Sequence, residues 1–187
     1  LMIKDKKNVG FWKWRLKKMS KSAIGYIFSF IILVLLQVSV FNRIALFGYA
    51  TPFLFLYFIL KLPTTLSANW TMTLSFLMGL VIDIFSNTPG MYALASVSVA
   101  FVRRTFIALV LQRGNEEVSL VPSFRSFGSG YFSIYAFCVI FLFCILVFII
   151  EAFSFFTPLI LVLRILSSTL LTFILILALE SLNWKKK

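Results

Sequence analysis

Apolar residues run through this chain in long blocks and do not alternate with polar ones, the pattern of helices that face lipid. A bilayer-spanning helix needs about 20 predominantly apolar residues, within a range of about 17–25. Five stretches meet that length: residues 23–41, 69–86, 89–111, 131–153 and 158–180. A sixth, residues 44–62, is interrupted by Gly48 and Pro52. If Thr51 caps that helix and Pro52 is its first residue, only about 16 Å of helix remain before Pro63. Such a piece either crosses thin membrane or enters and turns back, and the pattern leaves both open. The expected fold is all-α: a polytopic transmembrane bundle of about six spans over residues 23–182. A basic tail precedes it (1–22) and a second one follows (183–187).

The connections are short apart from residues 112–130, where Gln112, Arg113, Glu116, Glu117, Pro122 and Arg125 mix with Gly and Ser. Polar and turn-forming residues mark that stretch as a cytoplasmic loop. Ser86–Asn87–Thr88–Pro89–Gly90 reads as an outer turn, with Thr88 as the N-cap of the next helix and Pro89 at its first position. The run Ala23–Phe41 is longer than a signal-peptide core and no small-x-small site follows it, so it is expected to be a retained first span.

Composition agrees with the blocks. The 187 residues are 61% hydrophobic and 13% charged, with 23 Phe, against about 45–50% and about 25% in soluble domains. Charge adds orientation. The net charge is +12, and at least half of the cations sit at the chain ends. With six spans and an inside amino terminus, the inner side receives Lys4, Lys6, Lys7, Lys13, Arg15, Lys17, Lys18, Lys21, Lys61, Arg103, Arg104, Arg113, Arg125 and Lys185–Lys187. Only Arg43 and Arg164 fall outside, the asymmetry that the positive-inside bias describes. Dropping the weak span would export the terminal lysines. Phe11, Trp12 and Trp14 lie among the tail cations, which suits an anchor lying on anionic lipid; a frayed basic tail is the plainer reading. A nucleic-acid role is not expected, because no reading motif accompanies the charge.

The third span carries the most specific pattern. Ser67, Thr71, Ser75, Gly79 and Asp83 recur every four residues, and Asn87 continues the series. On a helix this makes one slowly rotating stripe, either a seam that admits another helix closely or a face that lines a substrate path. Leu74, Phe76, Leu77, Leu80 and Phe85 occupy the other face. Gly79→Leu is expected to overpack the seam. Shorter stripes occur at Ser96, Ala100 and Arg104, and at Arg164, Ser168 and Thr172.

A carboxylate at the centre of a span costs about 2.5–3.5 kcal/mol on an insertion scale. The cost is less near an end, and Asp83 lies about 5 Å from the expected outer end of its helix. There it is hydrated, forms a proton or ion site, pairs with Arg43 or Arg164, or caps the Asn87–Gly90 turn. Glu151 and Arg164, on adjacent helices and at like depth, are expected to pair. Arg103 and Arg104 lie about 11 Å from the inner end of their span, and at least one of them is expected to snorkel inward.

Catalytic signals are missing. There is no His, and no HExxH, GxSxG or Gly-rich phosphate loop. Cys138 and Cys144 lie on different faces of one helix. No catalytic residue, metal site or cofactor is expected, and an enzyme would have to rely on Asp83 or Glu151.

The stretch Gly79-Leu80-Val81-Ile82-Asp83-Ile84-Phe85-Ser86, followed by Pro89-Gly90-Met91-Tyr92-Ala93-Leu94, resembles the rod shape-determining protein MreD family of bacteria. Thr51-Pro52-Phe53-Leu54 is similar to that family's opening of the second span, and length, span number and cytoplasmic ends agree over nearly the whole chain. The resemblance implies a multi-pass protein of the bacterial cytoplasmic (inner) membrane. It would be a non-enzymatic scaffold of the cell-elongation complex, acting in cell shape and peptidoglycan synthesis. The implied partners are an MreC-like protein and, through it, MreB, RodA and a class B penicillin-binding transpeptidase. The implied fold is similar to the substrate-binding subunits of energy-coupling-factor transporters, so a vitamin-type binding subunit is the competing reading. For a scaffold, Asp83, Pro89 and Gly90 would shape the outer end, and Thr71, Ser75 and Gly79 would pack it.

Overall fold

Ser67 opens the helix that carries the four-residue stripe. Its backbone is extended and its hydroxyl accepts from the Trp70 N–H, which satisfies one of the free donors of the helix that follows, Ala68–Ser86. That helix ends at Asn87, whose left-handed backbone (φ 55°) returns its N–H to the Asp83 carbonyl. Asn tolerates this conformation better than other non-glycine residues.

In the computed structural model, residues 24–41, 50–113, 121–152 and 158–185 are described. They form α1 (Ile24–Ser39), α2 (Leu56–Lys61), α3 (Ala68–Ser86), α4 (Met91–Arg113), α5 (Phe124–Glu151) and α6 (Pro158–Lys185). The described residues contain no strand. The chain divides into two units, residues 1–32 and residues 33–187. Of the first, only residues 24–32 are described; there Ile24, Ile27, Phe28 and Ile31 are exposed. The basic amino-terminal tail and Arg43 lie outside the described residues, as do Glu116 and Glu117 of the expected loop.

Four helices, α3 to α6, are long and apolar enough to cross a membrane, and the chain is a multi-pass membrane protein. Its exposed faces are greasy: Phe76, Leu77, Ile84 and Phe85 on α3, and Leu159, Leu163, Leu166, Leu170 and Ile174 on α6. In water these faces would aggregate; in lipid they are solvated. α3 packs on α4, α4 on α5, and α5 on α6.

The weak sixth stretch departs from the expected helix. Thr51 does not cap a helix and Pro52 is not its first residue. Residues 51–53 are irregular, 54 and 55 form a turn, and α2 has only six residues. Pro52 disfavours helical backbone at Thr51 and supplies no N–H of its own. At about 9 Å, α2 is too short to span a bilayer as a helix. Yet residues 52–60 are all buried, with Phe55, Leu56, Ile59 and Leu60 fully so. Side chains of α1, α4, α5 and α6 meet this segment. Phe53 and Phe55 meet Phe143 of α5 edge-on, at centroid distances of 5.3 and 5.4 Å.

Two other boundaries also differ. α4 starts at Met91, so Thr88 is not its N-cap and Pro89 is not its first residue. α5 starts at Phe124, inside the stretch expected to be a loop. Ser123 caps it, and Gly128 (φ 75°) breaks it before the long apolar part begins.

Candidate functional site

The seam between α3 and α4 follows directly from the stripe. Thr71, Ser75, Gly79 and Asp83 are all buried, and α3 packs against α4. A Cβ added at Gly79 would sit 2.6 Å from Ala93 Cα and 2.6 Å from the Tyr92 carbonyl oxygen. Only glycine allows that approach. Ser75 contributes size alone: among the described residues its hydroxyl, like that of Ser96 in α4, has no hydrogen-bond partner. Thr71 bonds back to the Ser67 carbonyl at 3.1 Å. The seam thus forms by close packing, with no hydroxyl of these residues bonding across it.

Asp83 closes the seam at the carboxyl-terminal end of α3. Its Oδ1 accepts from Thr88 Oγ1 (2.7 Å) and the Tyr92 N–H (3.0 Å), and its Oδ2 accepts from the Ala93 N–H (2.8 Å). Tyr92 and Ala93 are in the first turn of α4, whose N–H groups have no partner within the helix. A carboxylate borrowed from α3 therefore caps α4, and the positive end of the helix dipole favours its charge. Of the partners expected for Asp83, the Asn87–Gly90 turn supplies Thr88; Tyr92 and Ala93 lie beyond that turn. Pro89 and Gly90 are exposed, and Gly90 (φ 76°) takes a conformation that side chains resist. Asp83→Asn keeps one good acceptor, whereas Asp83→Ala keeps none. Thermal unfolding in detergent should rank them wild type, then Asn, then Ala, with about 1–2 kcal/mol between the extremes.

Irregular backbone at membrane depth must be satisfied by protein, and the residues around Thr51 are. Ser168 Oγ accepts from the Thr51 N–H (2.9 Å) and Thr172 Oγ1 from the Phe53 N–H (3.0 Å). Gln37 of α1, fully buried, donates to the Pro52 carbonyl (3.0 Å) and accepts from the Phe55 N–H (3.4 Å). The stripe Arg164–Ser168–Thr172 thus reads as a rack for the unwound segment. Gln37 was not singled out from the sequence, although an amide among Leu33, Val34, Leu35, Leu36 and Val38 was a signal.

At the other end of the segment the free carbonyls of α2 meet Arg103. Its Nε donates to Tyr135 Oη (2.8 Å), and one terminal nitrogen donates to the Leu60 carbonyl (3.3 Å) and to that of Leu62. Arg103 is 2% exposed. It does not snorkel; its neighbour Arg104 is exposed instead. The stripe on α4 therefore runs through Ser96 and Ala100 to Arg103 and not to Arg104. At the same end of the segment, Glu180 Oε1 accepts from Lys61 Nζ (2.7 Å) and the Phe124 N–H (3.2 Å), while Oε2 accepts from Tyr57 Oη (2.9 Å). Asn183 donates to the same tyrosine oxygen at 2.8 Å. One buried carboxylate ties α2, α5 and α6 together.

Glu151 and Arg164 pair at 3.2 Å, with side chains 45% and 38% exposed. Pairs so exposed contribute about 0–1 kcal/mol, so reversing either charge should cost little stability. A Glu151→Arg, Arg164→Glu double variant should restore even that, which detergent melting curves of the four proteins will show. The pair stands at the rim of a cavity of about 670 Å³ at the same end of the unit as Asp83. Thr51, Phe53, Thr88, Tyr92 and Phe148 contribute to its walls.

No protein-family model matches the chain, and comparison with curated proteins and with solved structures found no match. What fold and site define is a class: a multi-pass helical membrane protein whose buried polar groups hold an irregular segment in its core.

Proposed function

We propose that the chain is a non-enzymatic scaffold of the bacterial cell-elongation complex, in keeping with its resemblance to the MreD family. It lies in the cytoplasmic membrane and docks an MreC-like protein, with MreB, RodA and a transpeptidase reached indirectly. The observation that carries this reading is the use made of the buried polar side chains. Asp83, Gln37, Ser168, Thr172, Arg103 and Glu180 each bind backbone groups of a neighbouring element. They fix shape, which is what a docking platform requires, and the long apolar faces outside them suit contact with other membrane helices.

The reading includes six crossings and both chain ends in the cytoplasm. Residues 50–62 supply one crossing in broken form. Thr51 bonds to Ser168 and Lys61 to Glu180, positions twelve residues and about 18 Å apart along α6. That advance is a little over half of a hydrocarbon core of about 30 Å, which supports a crossing. Lys61, Arg103 and Arg125 gather toward one end of the unit, which the positive-inside bias makes cytoplasmic.

Depletion in a rod-shaped host, with pull-down from mild detergent, tests the function. The scaffold predicts rounded cells and a co-purified wall-synthesis protein. Normal rods with a small-molecule uptake defect would replace it with the second reading, a ligand-binding subunit of a transporter. The outer cavity is the observation that favours that alternative.

A further inference from the structure

The cavity beside Asp83 combines three features that the scaffold reading leaves unused. Its volume, about 670 Å³, falls within the range of about 300–1,000 Å³ typical of small-molecule sites. Its inner wall is apolar, with Phe53, Val147 and Phe148 nearly fully buried. At its rim stand one cation and one anion, Arg164 and Glu151, paired with each other and partly hydrated. The Arg164 guanidinium also lies over the Phe148 ring, 5.8 Å from its centroid. Phe85, 65% exposed on the outward face of α3, lines the same cavity. The space therefore adjoins a surface that faces lipid.

A half-exposed ion pair exchanges partners at little cost. An incoming anion would satisfy Arg164 but leave Glu151 facing a like charge, and an incoming cation would do the reverse. A group carrying both charges a few ångströms apart satisfies both, while its apolar remainder covers the aromatic wall. We propose that this cavity binds the charged end of a zwitterionic amphiphile, with a primary ammonium on Glu151, an anionic group on Arg164 and an apolar body against Phe53, Phe148 and Phe85. The ammonium is primary because Glu151 offers hydrogen-bond acceptors, which a quaternary amine does not use. Two sources share this chemistry: an ethanolamine phospholipid headgroup, or a free amino acid with an apolar side chain. The site stands on the cavity and does not depend on the scaffold reading.

The test uses the full chain in nanodiscs of neutral synthetic lipid. Dioctanoyl phosphatidylethanolamine, phosphatidylcholine and phosphatidylglycerol, and free phenylalanine, are titrated in separate arms by native mass spectrometry. Ethanolamine lipid should bind at least about tenfold more tightly than the choline and glycerol lipids. Binding of phenylalanine alone would uphold the zwitterion chemistry and assign it the soluble source. Glu151→Gln and Arg164→Gln should each weaken binding by about tenfold or more with an unchanged melting temperature, which separates loss of the site from loss of fold. Ile150→Trp, at a half-buried wall position, should block the site without touching either charge. Equal binding of the glycerol lipid, no binding by any probe, or indifference to both glutamine variants would overturn the proposal. None of these results bears on whether a wall-synthesis partner co-purifies, so the scaffold reading stands or falls separately.

Discussion

Arg103→Leu should destabilise the protein by about 3 kcal/mol or more, whereas Arg104→Leu, one residue away, should be nearly silent. The leucine removes the donors that serve the Leu60 and Leu62 carbonyls and the Tyr135 hydroxyl. A buried polar group left without a partner costs about 1–3 kcal/mol; the Leu62 carbonyl loses its Arg103 donor, and the Leu60 carbonyl keeps only a long 3.5 Å bond from the Tyr135 hydroxyl. Pro63 follows directly, so the chain cannot re-satisfy those carbonyls by continuing the helix. Arg104 is exposed, and its loss touches none of these groups. Melting of the two variants in mild detergent, side by side, reads the difference. Arg103→Lys should recover only part of the loss, because a lysine carries three donors on one nitrogen and does not reproduce the guanidinium fork.

Gly79→Leu should do still more damage, with little or no monodisperse protein recovered from detergent. Even the first added carbon would lie 2.6 Å from Ala93 Cα and 2.6 Å from the Tyr92 carbonyl oxygen. Both are backbone atoms, which no rotamer change moves aside, so α3 and α4 must separate. Separation also pulls Asp83 from the Tyr92 and Ala93 N–H groups it caps. Overpacking commonly costs about 1–3 kcal/mol, and loss of the cap adds about 1 kcal/mol. Gly79→Ala should show the same effect in weaker form. Wild-type size-exclusion behaviour and melting for the leucine variant would refute the close-packed seam.

The parts of this arrangement that were legible in the sequence are those with a period. The four-residue recurrence from Ser67 to Asp83 marked one face of α3 as a seam or a substrate-lining face, and the apolar blocks predicted the long helices. The rest depends on contacts between residues far apart in sequence. Whether Arg103 or Arg104 turned inward was undecidable from adjacent positions on one helix. The answer lies in the free carbonyls at the end of α2, and that end exists only because Pro63 stops the segment beside α4. Ser168 and Thr172 looked like helix-packing residues; their task became visible only once Thr51 and Phe53 were seen to need acceptors. Thr88 had the right residue type for a cap, yet the carboxylate of Asp83, nine and ten residues before the groups it caps, took that place. A charged acceptor makes the stronger bonds.

The central claim is that residues 50–62, although mostly unwound, carry the chain from one side of the membrane to the other. Cysteine labelling of intact cells tests it most directly, in a background with Cys138 and Cys144 replaced by serine. Reporters are placed at Ser20→Cys, Asn87→Cys and Lys187→Cys. An impermeant maleimide should label only the reporter at position 87 until the cells are opened, after which all three react. Labelling of position 187 but not position 20 on intact cells would mean that the segment enters and turns back, and it would contradict the account.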